Sequence, residues 1–423
     1  MRPLYIYNIF PKLFKNINAW NDNLGRIKDM GFNCIFINSI HLPGFSGSIY
    51  AVKDHYSYNN LFFIKNKPHK EQLKEFISNC KKRNLDIMID LIINHTSKDA
   101  NLIKEHRNWY KLDENNELKT PGVWQNGTMV KWEDLAILDI ENSPDKKNLW
   151  DYLLNIGRYF LQLGFTGFRC DAAYQVNSEF WEFLISTLKK EFKNIIFLAE
   201  TLGCTPGHIQ SLSNCGFDYI YNSSKWWDFK EDWCLEQYDL NRNIASSVSF
   251  PETHDTERLM SEVKDNTRVF LQKLYFAAIF SKGFMIPSGF EYGFKKKLNV
   301  VNTTSNDWEQ TNNDYSPNIK KILNIKTALK PLREESSIEV IPQINDTFVF
   351  IKEWDNERVL ICINKNIKKN QTLNISNLEE LLKTTMIKDY SPENRINDYI
   401  TDLDIALEPA ELKIFASEKH YKN

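Results

Sequence analysis

The sequence predicts an α/β chain built on a parallel (β/α)8 TIM barrel, with a short segment inserted after the third strand and an antiparallel β-domain at the C-terminal end. Three observations point there. Strand-like apolar runs alternate with helical periodicities at short spacing, the rhythm of βα units in a parallel sheet. Four of those runs end on polar or charged clusters: DIMIDLIINH at His95, GFTGFRCD at Asp171, NIIFLAE at Glu200 and SSVSFPETHD at Asp255. Beyond Arg333 the pattern changes to short alternating segments separated by polar turns. Runs of this length suit strands buried on both faces. A carboxylate at such a tip is a costly placement unless the charge is used, and in a barrel the C-terminal strand tips share one rim.

In order, PLYIYNIF reads as the first strand, residues 20–30 as a helix and NCIFINSI as the second strand. An amphipathic helix is expected over 70–83, then the strand DIMIDLII. Residues 96–144 are polar, dotted with tryptophan and weakly periodic, too long for an ordinary barrel loop and therefore expected to form a small lid-like subdomain on the rim. The rhythm resumes with a helix over 147–163, the strand GFTGFRC, a helix over 180–192 and NIIFLA. A weak strand at 217–221, SSVSF, a helix over 268–281, GFMIP and a closing helix over 318–332 complete the barrel. The segments IEVIPQ, DTFVFIKEW, RVLICINK, QTLNIS and LKIFAS read as antiparallel strands. The expected division is a barrel over 1–95 and 145–332, an inserted subdomain over 96–144, and a C-terminal β-sandwich over 333–423.

Composition narrows the function. At 423 residues with 42% hydrophobic content the chain buries a large core, and a net charge of −2 points to neither nucleic acid nor an anionic membrane surface as a partner. Aromatic residues make up 13%, with 11 Trp and 18 Tyr, which suits either a large aromatic core or flat faces against sugar rings. Seven scattered cysteines without a CxxC pair fit free thiols in a reducing compartment, and Cys170 reads as a small buried residue at a strand end. No run approaches a membrane span and the N-terminus lacks a long apolar stretch, so a soluble cytoplasmic protein is expected. Composition does not set the oligomeric state.

The strand tips assemble a recognisable set of reactants. Cleaving a glycosidic bond with retention needs two carboxyl groups about 5–5.5 Å apart, one to attack the anomeric carbon and one to protonate the leaving oxygen. A third carboxylate can grip hydroxyls and offset the charge of the transition state, while imidazole and guanidinium groups bond other hydroxyls and keep the nucleophile ionised. Asp171, Glu200 and Asp255 with Arg169, His95 and His254 make up that set. Singly each has a plainer reading: a helix cap for Asp171, an ion-pair partner for Glu200 or Arg169, a core or loop histidine for His95 or His254.

DLIINH, GFRCD, FLAE and FPETHD resemble the four short signature regions of the α-amylase family, family 13 of the glycoside hydrolases. GSIYAVKDHY, WEDLAILDIENSP, GFMIPSGFEYG and ALEPAELKIFAS resemble further family segments, so the likeness runs along nearly the whole chain. The resemblance implies that Asp171 is the nucleophile, Glu200 the general acid/base and Asp255 the transition-state stabiliser. It implies that Arg169 orients the nucleophile, that His95 and His254 contact the sugar in subsite −1, and that Tyr50 is an aromatic platform under that sugar. Asp54 and Arg258 match further family positions, with either substrate contact or a mutual salt bridge as their role.

Two departures bear on specificity. Tyr174 and Gln175 stand where starch-degrading members usually carry a Lys-His pair on the acceptor side, and Thr253, preceded by Glu252, replaces the usual Asn before the histidine. Glu252 then either meets substrate or faces a neighbouring helix. Asn94 matches a calcium position of many members, but a cage of six to eight oxygens is hard to assemble from this short insert, so no metal is expected. Trp226, Trp227 and Trp233 are placed near the substrate rim, with at least one of the adjacent pair packed in the core. The expected activity is a retaining α-glycoside hydrolase or transglycosylase acting on α-glucans or maltooligosaccharides. The alternatives are a non-catalytic amylase-like sugar-binding module and a phosphate-using barrel enzyme, though Gly283, Gly289 and Gly293 do not form a tight phosphate loop.

Overall fold

The computed structural model describes residues 2–125, 128–394, 396 and 398–418. Eight parallel strands form a closed barrel: β1 (Tyr5–Ile9), β2 (Cys34–Ile37), β3 (Asp86–Leu91), β4 (Gly167–Cys170), β5 (Ile196–Ala199), β6 (Tyr219–Tyr221), β7 (Ser246–Ser249) and β8 (Gly283–Pro287). Closure comes from β8 pairing back onto β1, Tyr5 opposite Phe284. Helices Ile17–Asp29, His69–Lys82, Lys146–Leu163, Ser178–Glu191 and Thr267–Phe280 lie within three residues of the periodicities that predict them. The closing helix is shorter than expected: Ser316–Ala328 stops at an extended Leu329, and Pro331 begins a separate turn, Lys330–Arg333. Among the described residues no helix is long and apolar enough to cross a membrane.

Strand alternation lays down the barrel interior in layers. Ile6, Phe36, Met88, Leu198, Tyr219, Val248 and Met285 fill its apolar part. Two residues further along the same faces come Asn8, Asn38, Asp90 and Glu200, all buried. Arg169 joins this polar layer because it sits in register with both Asp90 and Leu198. A polar floor therefore lies directly on an apolar plug, at the C-terminal end of the strands.

The segment after β3 is a subdomain of small pieces. Its first strand, His95–Ser97, pairs with Leu135–Ile137; a short helix spans Asn101–Glu105, and a hairpin joins Gly122–Gln125 to Thr128–Lys131. At the C-terminal end, Ser337–Ile341, Thr347–Trp354, Glu357–Asn364, Leu412–Ser417 and Ile387–Asp389 form a five-stranded sheet, with Gln371–Ile375 and Leu403–Leu407 as a second, two-stranded one. Val349, Ile351, Leu360 and Cys362 pack toward Leu373, Leu403 and Leu407, whereas Phe350, Ile361, Ile363 and Ile414 join the main core. Lys352 of this sheet reaches the barrel: its Nζ donates to the carbonyls of Phe280 at 2.6 Å and Ile279 at 3.1 Å, and Lys326 Nζ donates to those of Ser281 and Ala278. Two buried lysines thus satisfy the last carbonyls of Thr267–Phe280.

Candidate active site

Arg169 is the centre of the polar floor. Its Nη1 donates to Asp171 Oδ1 at 2.6 Å and to Asp90 Oδ1 at 2.8 Å, while Nη2 lies 4.0 Å from Glu200 and 3.9 Å from Asp255. One guanidinium, 2% exposed, therefore gathers carboxylates from the ends of β3, β4, β5 and the turn after β7. So deep a cation is tolerable only when paired. Asp255, with 47% of its side chain exposed, is the member that opens to solvent.

Glu200 is the buried partner of Asp171. Its Oε2 accepts the Ala172 N–H at 2.9 Å and its Oε1 the Leu202 N–H at 2.6 Å. These bonds and Arg169 favour the carboxylate, but burial outweighs them, with Asp171 and Asp255 adding repulsion, and the carboxyl is pushed up to about 7. Ala172 has φ +42°, a left-handed conformation costly for a residue with a Cβ. That turn, immediately after Asp171, aims the Ala172 amide at Glu200 and couples the two carboxyls through one peptide unit.

Tyr50 and the histidines line the other side. The Tyr50 hydroxyl donates to Asp90 Oδ2 at 2.8 Å, accepts from Asn38 at 2.9 Å and shares a hydrogen bond with His254 Nε2 at 2.7 Å. Burial and the adjacent acid raise the phenol well above its ordinary value, so it remains a donor. The rings of Tyr50 and His254 lie nearly parallel, 5.6 Å apart, and His254 Nε2 is 3.1 Å from Asp255. His95 Nε2 is 3.2 Å from the Tyr50 carbonyl. Burial lowers both histidines, His254 to about 4, so both are neutral near pH 7. Asp90 and Asn38, absent from the sequence reading, belong to this network; burial raises Asp90 despite Arg169. The available signal was an acid inside an apolar strand, in DIMIDL.

Arg258 is corrected by the structure. It is 1% exposed, donates to Glu252 at 2.6 Å and to the carbonyls of Ser288 and Lys296, and is a buried brace. Glu252 also accepts the Leu259 N–H at 2.5 Å, so it caps the turn Leu259–Glu262. The alternative pairing of Arg258 with Asp54 fails as well: both Asp54 oxygens are engaged in its own hairpin, by the Tyr56 N–H and the Ser57 hydroxyl, each at 2.8 Å. Tyr174 lies on the Glu200 side, where burial and then that acid raise its phenol, and stacks on His208 at 5.4 Å. Trp226, 51% exposed, projects from the turn after β6, while Trp227 is buried among Phe229, Phe276 and Phe348.

The position that matches the family's calcium site is a small cavity beside Asn94. Asn94 Nδ2 donates to Gln175 at 3.3 Å, Glu141 and Asn177 share the lining with apolar Ile137, Leu138 and Ile140, and the side-chain oxygens of Asn94 and Asn177 are buried without a partner. Among the described residues no group of three His, Cys, Asp or Glu side chains is placed to hold a metal.

Known proteins share both sequence and architecture with this chain. The family model described as glycogen debranching enzyme, glucanotransferase domain, matches residues 1–119. An alpha-1,4-glucan:maltose-1-phosphate maltosyltransferase of Picrophilus torridus is 22% identical over 449 residues, covering 98% of this chain and 66% of the relative. The sequence likeness to that enzyme runs along nearly the whole of this chain. A namesake enzyme of Burkholderia pseudomallei is 21% identical over 385 residues, covering 86% of this chain and 34% of the relative. This chain thus spans between a third and two thirds of those two enzymes. The maltogenic α-amylase AmyB of Thermotoga neapolitana has the same fold, with a TM-score of 0.78, 21% identity and 99% of each chain covered.

Proposed function

We propose that this chain is a retaining α-glycoside hydrolase or transglycosylase acting on α-glucans or maltooligosaccharides. The observation that carries the reading is the convergence of Asp171, Glu200 and Asp255 on Arg169. Asp171, oriented by the guanidinium 2.6 Å away, attacks the anomeric carbon as Glu200 gives its proton to the leaving oxygen, forming a covalent glycosyl-enzyme. Glu200, now a carboxylate, takes a proton from the incoming water or sugar hydroxyl, which displaces Asp171. Asp255 and the neutral histidines grip the distorted ring, and Arg169 tracks charge among the carboxylates. No cation enters this scheme.

Transfer of a maltosyl or glucosyl unit is the favoured variant. The two relatives are named maltosyltransferases, and Tyr174 and Trp226 offer aromatic faces for an acceptor sugar where the Lys-His pair is missing. Seven free cysteines support a reducing, cytoplasmic address. Product analysis across α-glucans, maltose 1-phosphate and sucrose tests the reading. Longer chains should form, and Asp171→Ala should abolish them. Reducing ends alone would remove the transfer variant, and indifference to Asp171→Ala would leave a sugar-binding module.

A further inference from the structure

The mouth of the barrel is fenced along one arc. Lys12, in the turn after β1, lies between two neighbouring loops: its Nζ donates to the Val301 carbonyl at 2.5 Å, in the loop after β8, and to the Gly47 carbonyl at 3.5 Å, in the loop after β2. The Ile49 N–H adds a bond to the Val300 carbonyl at 3.2 Å. The loop after β2 is fixed on its other flank to the inserted subdomain, Ser46 to Asp134 at 2.5 Å and the Phe45 N–H to Asp99 at 3.2 Å. Gly44 packs so closely there that a Cβ would overlap Ser97. The loops after β8, β1, β2 and β3 thus form one bonded rim.

That rim abuts the sugar site. Ile49 directly precedes Tyr50, and Phe10, two residues before Lys12, stacks on His254 at 6.0 Å. Glu200 stands at the end of β5, four strands from β1 and so across the barrel from it. The leaving group must depart on the side of the residue that protonates it, over β4 to β6, past Tyr174 and Trp226. The sugar retained on Asp171 then extends the opposite way, into the fence.

We propose that the cleft is blind at its donor end and that Lys12 is the bolt that closes it, limiting the transferred glycone to one or two glucosyl units. The inference rests on the retaining reading above and assigns Lys12 a specificity role without contact to the reacting atoms. The test compares kcat/KM for nitrophenol release from 4-nitrophenyl α-glucoside, α-maltoside and α-maltotrioside, for the wild type, Lys12→Ala and Asp171→Ala. The maltotrioside should lie at least ~10-fold below the maltoside in the wild type, through exclusion of the third sugar, and Lys12→Ala should narrow that gap, mainly in KM. Turnover level or rising from maltoside to maltotrioside overturns the blind end while leaving the catalytic reading intact. A gap unchanged in a Lys12→Ala protein that melts like its parent overturns the assignment of Lys12. Release from none of the three, with Asp171→Ala indistinguishable from wild type, removes the catalytic reading and the inference with it.

Discussion

Replacing Glu200 by Gln removes the transferable proton and keeps the side chain's shape, though the amide can accept only one of the two backbone N–H bonds from Ala172 and Leu202. The carboxyl is held near 7 instead of near 4.5 because burial and two neighbouring acids disfavour its charge. Below about 7 it is protonated and competent as an acid, so kcat/KM on an oligosaccharide should fall as pH rises through that value, and the limb should vanish in Glu200→Gln. General acid catalysis contributes ~10² to 10⁴ in rate, which sets the expected loss on maltooligosaccharides. Fluoride leaves without protonation, so formation of the glycosyl-enzyme from α-maltosyl fluoride, read as the first-turnover burst of fluoride, should stay within ~10-fold of the wild type, while its breakdown slows for want of the base. Equal losses on both substrates, or a pH limb that survives the substitution, would refute the assignment. Stability carries a second readout. The folded state binds this proton more tightly than the unfolded chain, so the group's contribution is complete below about 4.5 and is lost as pH rises through about 7. The difference corresponds to ~3 kcal/mol at the alkaline end, and the fall in melting temperature from pH 5 to 8 should be shallower in the glutamine variant.

Other consequences are open to measurement. Arg258→Ala leaves Glu252 buried without its cation, so urea unfolding should show a loss of ~3–5 kcal/mol, with little change in KM for the surviving folded enzyme. Trp227→Ala should cost ~3–5 kcal/mol in the same assay, whereas Trp226→Ala should stay within ~0.5 kcal/mol yet raise the acceptor concentration needed for half-maximal transfer. Treatment with EDTA should leave both activity and melting temperature unchanged; a large loss of either would show that the cavity beside Asn94 holds a structural cation after all.

What the sequence disclosed, and what it hid, follows from the range of the interactions. The barrel strands are near-continuous apolar runs, so DIMIDL and GFMIP announce themselves, and their tips carry the reacting groups in plain view. Helix Trp233–Arg242 went unread because its sequence, WCLEQYDLNR, has only a weak apolar stripe. Asp90 was hidden for the opposite reason: it lies inside a strand whose neighbours are all apolar, and its meaning depends on Arg169, 79 residues away. Arg258 and Glu252 form a pair whose burial depends on the loop after β8, which no local pattern reveals. His208 enters beside Tyr174 through a ring contact between separate βα loops.

Lys352 gives the C-terminal sheet a structural duty inside the barrel. Its Nζ shares with Lys326 the task of closing the end of Thr267–Phe280, directly before β8, the strand that seals the barrel against β1. A shortened protein ending near residue 333 would bare Ile279 and Phe280 carbonyls at the foot of that helix and strip the apolar cover from its side. Modular dissection would therefore yield a barrel with an open seam, and the last ninety residues are better regarded as the final course of the same wall.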